Sequence, residues 1–271
     1  MVRFCNLTIR HLSAPIHNLM IVRTEAIVLR SVDYGETSQI VTLHTRRLGT
    51  IAVMARGARG AKSRFGSALQ PMSHVQAVFY HKPGREVHTL SEVSHVTVFR
   101  RVPREIDRLS LGLRIVETIN SLMARPEAND EAFQVIVDVL RRLDAEEDHW
   151  RNLLPYFQLQ LSALMGFAPL LDKQQVETIT PSGGFLRLDD GGATGSKPSS
   201  PAVPASRQAV RAIGVMLLAD LDTVMRMSVT PQVLDEVGSI VETYLNYHVE
   251  DYRPSRSKLV FENIRSGLGR R

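Results

Sequence analysis

With 271 residues, 44% of them hydrophobic and 23% charged, the chain has the balance of a globular protein with room for two domains of ordinary size. It has no run of about 18 apolar residues to span a bilayer, and its single cysteine, Cys5, excludes a disulfide framework or a site built from several thiolates and fits a reducing cytoplasm. The net charge of +5 conceals a segregation: residues 20–101 carry 12 Lys or Arg against 5 Asp or Glu (+7), residues 102–252 carry 13 against 22 (−9), and residues 253–271 carry 6 against 1 (+5). A single-sign field confined to one region concentrates a polyanion, so the expected partner is a nucleic acid or an acidic peptide, not a membrane or a small-molecule substrate.

Residues 1–19 hold Arg3 and Arg10 but no acid, no periodicity and no apolar core of about 7 to 15 residues, so they do not read as a secretory signal. They read as an extra segment, disordered or preceding a true start at Met20. From 20 to 101 the apolar residues recur with a period of two: Val22, Ile27 and Leu29, then Ile40, Val41 and Leu43, then Ile51 and Val53, then Val75, Ala77 and Phe79, then Val87, Leu90, Val96 and Val98. Turn signals separate them, "DYGE" at 33, "RRLG" at 46, "ALQP" at 68 and "KPG" at 82. Five or six strands in about eighty residues predict a small closed barrel, and the OB-fold is the commonest of this size that meets nucleic acid. In "HVQAVFY" the alternation puts Val75, Ala77 and Phe79 in the core. His74, Gln76, Val78 and Tyr80 then face outward, where Tyr80 can stack on a base.

The most basic stretch is "MARGARGAKSRFG", residues 54–66, with Arg56, Arg59, Lys62 and Arg64 interleaved with small residues and no acid. A phosphate-binding P-loop requires Gly-Lys in sequence, and Ala61 separates Gly60 from Lys62, so a nucleotide cradle is ruled out. A groove for a phosphate backbone and a merely solvated loop remain, and the +7 region around the stretch favours the groove. Arg46 and Arg47 in the preceding turn, Lys82 and Arg85 in a later one, and Tyr80 complete the expected nucleic-acid-binding set. His81, His88 and His95 recur every seven residues, but an odd spacing alternates faces along a strand, so no metal site is expected. The carboxylate pairs Glu146–Glu147 and Asp189–Asp190 read as solvated charge, and no Ser, His and Asp set carries a catalytic signature. A protein that is not an enzyme and needs no cofactor is expected.

Near residue 103 the period changes to 3.6. "PREIDRLSLGLRIVETINSLM" places Ile106, Leu109, Leu113, Val116, Ile119 and Leu122 on one face, with Pro103 in the first turn. "NDEAFQVIVDVLRRL" opens with Asn129 or Asp130 as N-cap and turns Phe133, Ile136, Val137 and Leu140 inward. Further helices fit 150–165, 206–220 and 231–249. Residues 172–206 read as an insert in which "ETITPSGGFLRL" could form a hairpin and the Gly, Ser and Pro-rich second half a mobile loop. The expected fold is therefore α+β: an OB-fold barrel over 20–101, a helical domain over 102–252, and a basic tail over 253–271.

Two stretches carry a family resemblance. "DYGETSQIVTLHTRRLGTIAVMARGARGAKSRFGSALQPM", residues 33–72, resembles the N-terminal barrel of the bacterial DNA repair protein RecO family, where a G-E-x-S-x-I-V stretch precedes an A-R-G-A-R-x-x-x-S-R loop. "LSALMGFAPLLD", residues 161–172, resembles the point where that family's helical domain meets its insert. The resemblance spans roughly 20–250 and implies an OB-fold followed by a helical domain. It implies a non-enzymatic recombination mediator that binds single- and double-stranded DNA without reading sequence, anneals complementary strands, and works at the nucleoid in the cytoplasm. The implied partners are RecR, the acidic apolar tail of the single-stranded-DNA-binding protein SSB, and, indirectly, RecA. Many family members carry a four-cysteine zinc site in the insert, where this chain has Lys173, Gln174, Gln175, Val176, Gly184, Phe185, Leu186 and Arg187, so a zinc-less insert is expected. Two other readings stay open: a scaffold that docks acidic peptides and touches DNA only indirectly, and an RNA-binding barrel protein.

Overall fold

The computed structural model describes residues 20–145, 148–181, 183–250 and 252. The readings of the segment 1–19, the pair Glu146–Glu147 and the tail 253–271 lie outside them. Strands β1 (Met20–Tyr34), β2 (Ser38–Thr45), β3 (Gly49–Ala55), β4 (His74–His81) and β5 (Val87–Thr97) close into a barrel in the order β1-β2-β3-β5-β4. Every pairing is antiparallel except β3 with β5, the order and sense of an OB-fold. β1 is long enough to serve both halves: Met20–Ile27 pair with β4, Ala26–Tyr34 with β2, and a register shift between Val28 and Arg30 bends the strand from one to the other.

Alternate residues fill the interior, among them Val22, Val28, Val41, Leu43, Val53, Val75, Ala77, Phe79 and Leu90. Phe65, Ala68 and Leu69 from the β3–β4 connection plug one end, the last two on a single 3-10 turn, Gly66–Leu69. Phe79 is fully buried and Tyr80 half-buried, as the alternation requires.

The remaining chain builds α1 (Ile106–Leu122), α2 (Asp130–Ala145), α3 (Leu153–Leu164), α4 (Lys173–Thr178), α5 (Arg207–Leu218), α6 (Leu221–Arg226) and α7 (Pro231–His248). α3 is buried on nearly every face because α1, α2, α5 and α7 surround it, so its sequence shows little polar stripe. α2 starts at an Asn129 cap whose Oδ1 accepts from the Ala132 N–H at 2.9 Å. In α1 the buried stripe is Leu111, Ile115, Val116, Ile119 and Leu122, joined by Arg108. Ile106, placed on the apolar face by periodicity, is exposed at the helix's first position, and Pro103 precedes the helix in a turn. α4 and α6 are short helices that the periodicity does not reveal.

The second half of the insert differs from its compositional reading as a mobile loop. β6 (Gly184–Arg187), β7 (Ala193–Thr194) and β8 (Ala202–Ala205) form a three-stranded antiparallel sheet in the order β7-β6-β8. Ile179, Leu186, Leu188 and Ala193 are buried in the helical core, which supplies the apolar anchorage that a count of Gly, Ser and Pro underestimates. Arg187 clasps Asp190 through Nε at 2.9 Å and Nη2 at 2.5 Å, and Asp190 Oδ1 also accepts from the Gly192 N–H at 2.8 Å. A tetrahedral zinc does not fit here: the matching positions offer no thiolate or imidazole, and Leu186 points into apolar packing.

Barrel and helical domain meet around Phe133 of α2, which is fully buried. His44 stacks on its ring at a centroid distance of 6.2 Å, His74 meets it edge-on at 6.2 Å, and the Arg46 guanidinium lies 5.1 Å above it. His74 faces out of the barrel by alternation, yet is fully buried because the helical domain covers this side. Thr50 donates from its hydroxyl to the Met123 carbonyl at 2.6 Å and from its N–H to the Arg125 carbonyl at 3.2 Å. Gly49 has φ +65°, and a Cβ there would stand 2.3 Å from the Glu127 carbonyl oxygen, so the approach admits only glycine. Ile27, Leu29 and Met72 of the barrel join the helical core. The linker is held by Asp144, whose carboxylate accepts from the N–H groups of Arg100, Arg101 and Val102 at 3.1, 2.7 and 3.0 Å.

The seam titrates. Thr50 spends its proton on Met123, so His44 Nδ1–H donates to Thr50 Oγ at 2.9 Å, and Nε2 is buried with no partner among the described residues. Burial lowers the His44 pKa from 6.5 to about 4. Burial also lowers that of His74, against the opposing pull of Glu25, which lies 3.1 Å from its Nε2. For a histidine depressed in the folded state, the stabilisation is whole above the unfolded pKa and is lost as pH falls towards the folded one. His44 should therefore remove about 2 kcal/mol of stability between pH 7 and pH 5. Urea unfolding at the two pH values checks this, with His44→Asn expected to flatten the dependence. For the insert, a chelator should leave the melting temperature unchanged, whereas Asp190→Ala should lower it by about 3 °C, the effect of roughly 1 kcal/mol in a domain of this size; differential scanning calorimetry reads both.

Candidate nucleic-acid interface

Docking the helical domain over the outward row Thr50, His44, Ile27 and His74 covers one end of these strands and leaves their outer faces open further along. Register partners across the strands form a single outward row, Ile40, Met54, Thr89, Tyr80 and Ile21, on β2, β3, β5, β4 and β1 in turn. Tyr80 is half-buried in this row and Ile21 is exposed, so an apolar strip with one phenol lies on the open surface.

Cations border the strip. The β4–β5 turn closes with Arg85 N–H donating to the Lys82 carbonyl at 3.2 Å, and Gly84 takes φ +77°. The chain then enters β5 at Val87, the parallel partner of Ala52. Arg56 follows four residues further along β3, about 13 Å on at strand rise. Lys82 and Arg85 thus stand at one end of the β3–β5 seam and Arg56 at the other. Arg56, Lys62, Lys82 and Arg85 make no ion pair among the described residues.

The basic loop itself is ordered by two successive turns, Gly60 N–H to the Gly57 carbonyl at 3.1 Å and Ser63 N–H to the Gly60 carbonyl at 2.9 Å. Its four cations do not share one groove. Arg59 is the staple: its N–H donates to the Thr37 carbonyl at 2.9 Å, Nη1 reaches the Gly35 and Glu36 carbonyls at 3.3 and 3.4 Å, and Nε pairs with Asp33 at 3.2 Å. It fastens the loop to the β1–β2 turn and has little charge to spare for a ligand. Arg56 and Lys62 project into solvent. Arg64 lies 5.0 Å above the Phe65 ring and lines the outer side of β4 and β5 beside Val78 and Glu92.

The turn residues separate in the same way. Arg46 is committed to the seam between the domains, with Nε 2.5 Å from Asp130, Nη2 2.7 Å from the Gln134 oxygen and Nη1 3.5 Å from Glu25. Arg47 is exposed and donates from Nη1 to the Arg23 carbonyl at 3.3 Å. His81 and His88 do meet, with ring centroids 4.4 Å apart, because the β4–β5 turn folds one strand back on the other, while His95 lies elsewhere against Ser67 Oγ at 3.2 Å. Burial, and then the neighbouring His81, lower the His88 pKa. Among the described residues no group of three or more His, Cys, Asp or Glu is arranged to hold a metal ion, and no helix is long and apolar enough to cross a membrane. Arg23 is the cation the sequence reading missed: alternation in β1 places it outward, but its neighbours come from β4 and β5.

Fold and surface together define a class: an OB-fold barrel backed by a helical domain, with unpaired cations on its open side. Comparison with known proteins agrees. Residues 20–99 match the family model described as Recombination protein O N terminal, and residues 103–257 match Recombination protein O C terminal. The chain is 48% identical over 246 residues to a DNA repair protein RecO of Salinibacter ruber, covering 90% of this chain and 94% of that one. It is 31% identical over 238 residues to that of a Nocardioides species (85% and 96%), and 26% over 264 residues to that of Chloroherpeton thalassium (90% and 99%). The chain belongs to the RecO family of DNA repair and recombination proteins.

The split among the loop cations has a measurable consequence. Arg56→Ala with Lys62→Ala should reduce the salt dependence of single-strand binding by about 1.4 log units per log unit of salt, from roughly 0.7 per lost phosphate contact. Arg59→Ala should leave that slope near wild type and instead speed tryptic cleavage of the loop, since it removes the fastening to residues 33–37. Anisotropy titrations over a salt series and timed proteolysis separate the two roles.

Proposed function

We propose that the protein is a recombination mediator that holds single- and double-stranded DNA on the open face of its barrel and promotes annealing of complementary strands. The observation that carries this reading is the partition of charge within a RecO-family chain. Residues 20–101 carry 12 basic against 5 acidic residues and residues 102–252 carry 13 against 22. On the helical side many of the cations are offset by carboxylates, Arg46 with Asp130, Arg101 and Arg108 with Glu105, Arg114 with Glu242 and Arg142 with Asp222, whereas Arg104, Arg125, Arg211 and Arg226 make no ion pair among the described residues. The cations at the barrel's open face are left for a ligand.

Cations set along a strip with few hydrogen-bonding side chains neutralise phosphates without reading bases. Two strands neutralised on one surface no longer repel, and their bases can then meet; nothing covalent is required, so the protein acts without catalytic chemistry or a cofactor. In this reading it works in the cytoplasm at the nucleoid with RecR, clears a path on SSB-coated strands, and so helps RecA to load. Annealing of complementary oligonucleotides coated with SSB is the test. The protein should accelerate it, and Lys82→Ala with Arg85→Ala should abolish most of the acceleration while leaving the fold intact. No acceleration by the wild-type chain contradicts the proposal.

A second reading, a scaffold for acidic peptides, is favoured by a groove of about 1140 Å³ where β1 meets α1 and the end of α3, lined by Leu113, Val116, Met165, Arg30 and Arg125 among others. Titrating the full chain with an acidic, apolar-ended peptide and with an oligonucleotide distinguishes them: the mediator binds the oligonucleotide, whereas a pure scaffold binds only the peptide.

A further inference from the structure

On the outer side of β1, β4 and β5, the next row along from the strip's Ile21 and Tyr80, lies a cleft of about 260 Å³ lined by Arg23, Arg64, Phe65, Gln76, Val78, Ser91, Glu92, Val93 and Ser94. Its origin is local. β5 pairs Leu90 with Phe79 but Glu92 with Val78, so Ser91 is an extra residue in the ladder. A bulge of this kind twists a strand and re-aims its side chains, and four consecutive residues, Ser91 to Ser94, come to line the same hollow. Short side chains there leave Val78 and Val93 as an apolar floor.

The walls have a definite chemistry. Arg23 and Arg64 are exposed and form no ion pair among the described residues, and Arg64 is held against Phe65, itself 3% exposed, with its guanidinium 5.0 Å above the ring. A stacked guanidinium is pre-positioned and loses little freedom on meeting a phosphate. Gln76 and Glu92 add a carboxamide and a carboxylate, groups that accept from exocyclic amines of bases. The volume falls below that of pockets that enclose a drug-sized ligand, about 300–1,000 Å³, so it suits one unit of a polymer.

Resting on the reading that the barrel binds nucleic acid, we infer that this cleft takes a single unstacked nucleotide of a DNA strand. The phosphate lies between Arg23 and Arg64 and the base over Val78 and Val93. It is a second contact on the same outer face, one row along from Ile21, Tyr80 and Thr89, beside the contact at Arg56, Lys82 and Arg85. Arg47, whose guanidinium reaches the Arg23 carbonyl at 3.3 Å, extends the path of the strand along β1.

The test is a variant that fills the cleft without altering charge. Val78 is half-buried on the outer face, so Val78→Trp occupies the floor and retains both arginines; Ser91→Trp does the same from β5. Single-strand binding by the full-length chain is followed by anisotropy over a salt series, with calorimetric melting to confirm folding. Arg23→Ala with Arg64→Ala, and each tryptophan variant, should bind about tenfold more weakly and lose about 1.4 from the salt slope. Wild-type slope and affinity in both tryptophan variants would overturn the cleft while leaving the seam reading intact. Absence of oligonucleotide binding by the wild-type chain would overturn the cleft and the proposed function together, so the two failures are distinct.

Discussion

The seam around Phe133 fixes what the barrel can do. An aromatic ring wedged between His44 and His74 and roofed by Arg46 joins the domains through contacts that involve two buried imidazoles, a glycine at 49 and a buried threonine hydroxyl at 50. Three barrel side chains, Ile27, Leu29 and Met72, continue into the helical core. One flank of the barrel is thereby used up, and the side chains on that flank serve packing whatever their charge.

That constraint explains why a basic residue is a poor guide to function until its surroundings are known. Arg46 and Arg47 are adjacent, yet the first is bound by Asp130, Gln134 and Glu25, while the second is exposed beside Arg23. Arg59 and Lys62 lie three residues apart; the first pins a turn and the second faces water. Burying a cation is tolerated only with partners, so the helical side, with its excess of carboxylates, holds its buried and half-buried Arg108 and Arg114 in pairs. On the barrel, the cations without an ion pair among the described residues include Arg56, Lys62, Lys82 and Arg85 beside the strip and Arg23 and Arg64 around the bulged β5.

The barrel was largely legible because a period of two is set by local geometry: Val75, Ala77 and Phe79 inside and Tyr80 outside follow from the pleat alone. His74 obeys the same alternation yet is buried, since the covering helix is distant in sequence. Helices α1, α2, α3, α5 and α7 announced themselves by periodicity or apolar content, whereas α4 and α6, of six residues each, are too short to show a period. Composition reads the second half of the insert as a mobile loop because it counts Gly, Ser and Pro but not the few apolar residues that anchor a sheet there, and the hairpin expected within 177–188 is replaced by pairing of β6 with β7 and β8. Arg23 was overlooked for a related reason: a cleft assembled from three strands and a bulge has no contiguous sequence signature. The basic loop was found at once, but which of its cations are free depends on carbonyls at 35–37 that only folding brings near.

The central claim is that nucleic acid meets the open face of the barrel and not the helical side. Modification of arginine and lysine side chains, mapped by mass spectrometry with and without a bound single strand, tests it most directly. The account predicts protection of Arg23, Arg56, Lys62, Arg64, Lys82 and Arg85, with Arg46 and Arg59 unchanged. Protection confined to helical-domain cations such as Arg125, Arg141 and Arg211, with the barrel residues unaffected, would contradict it.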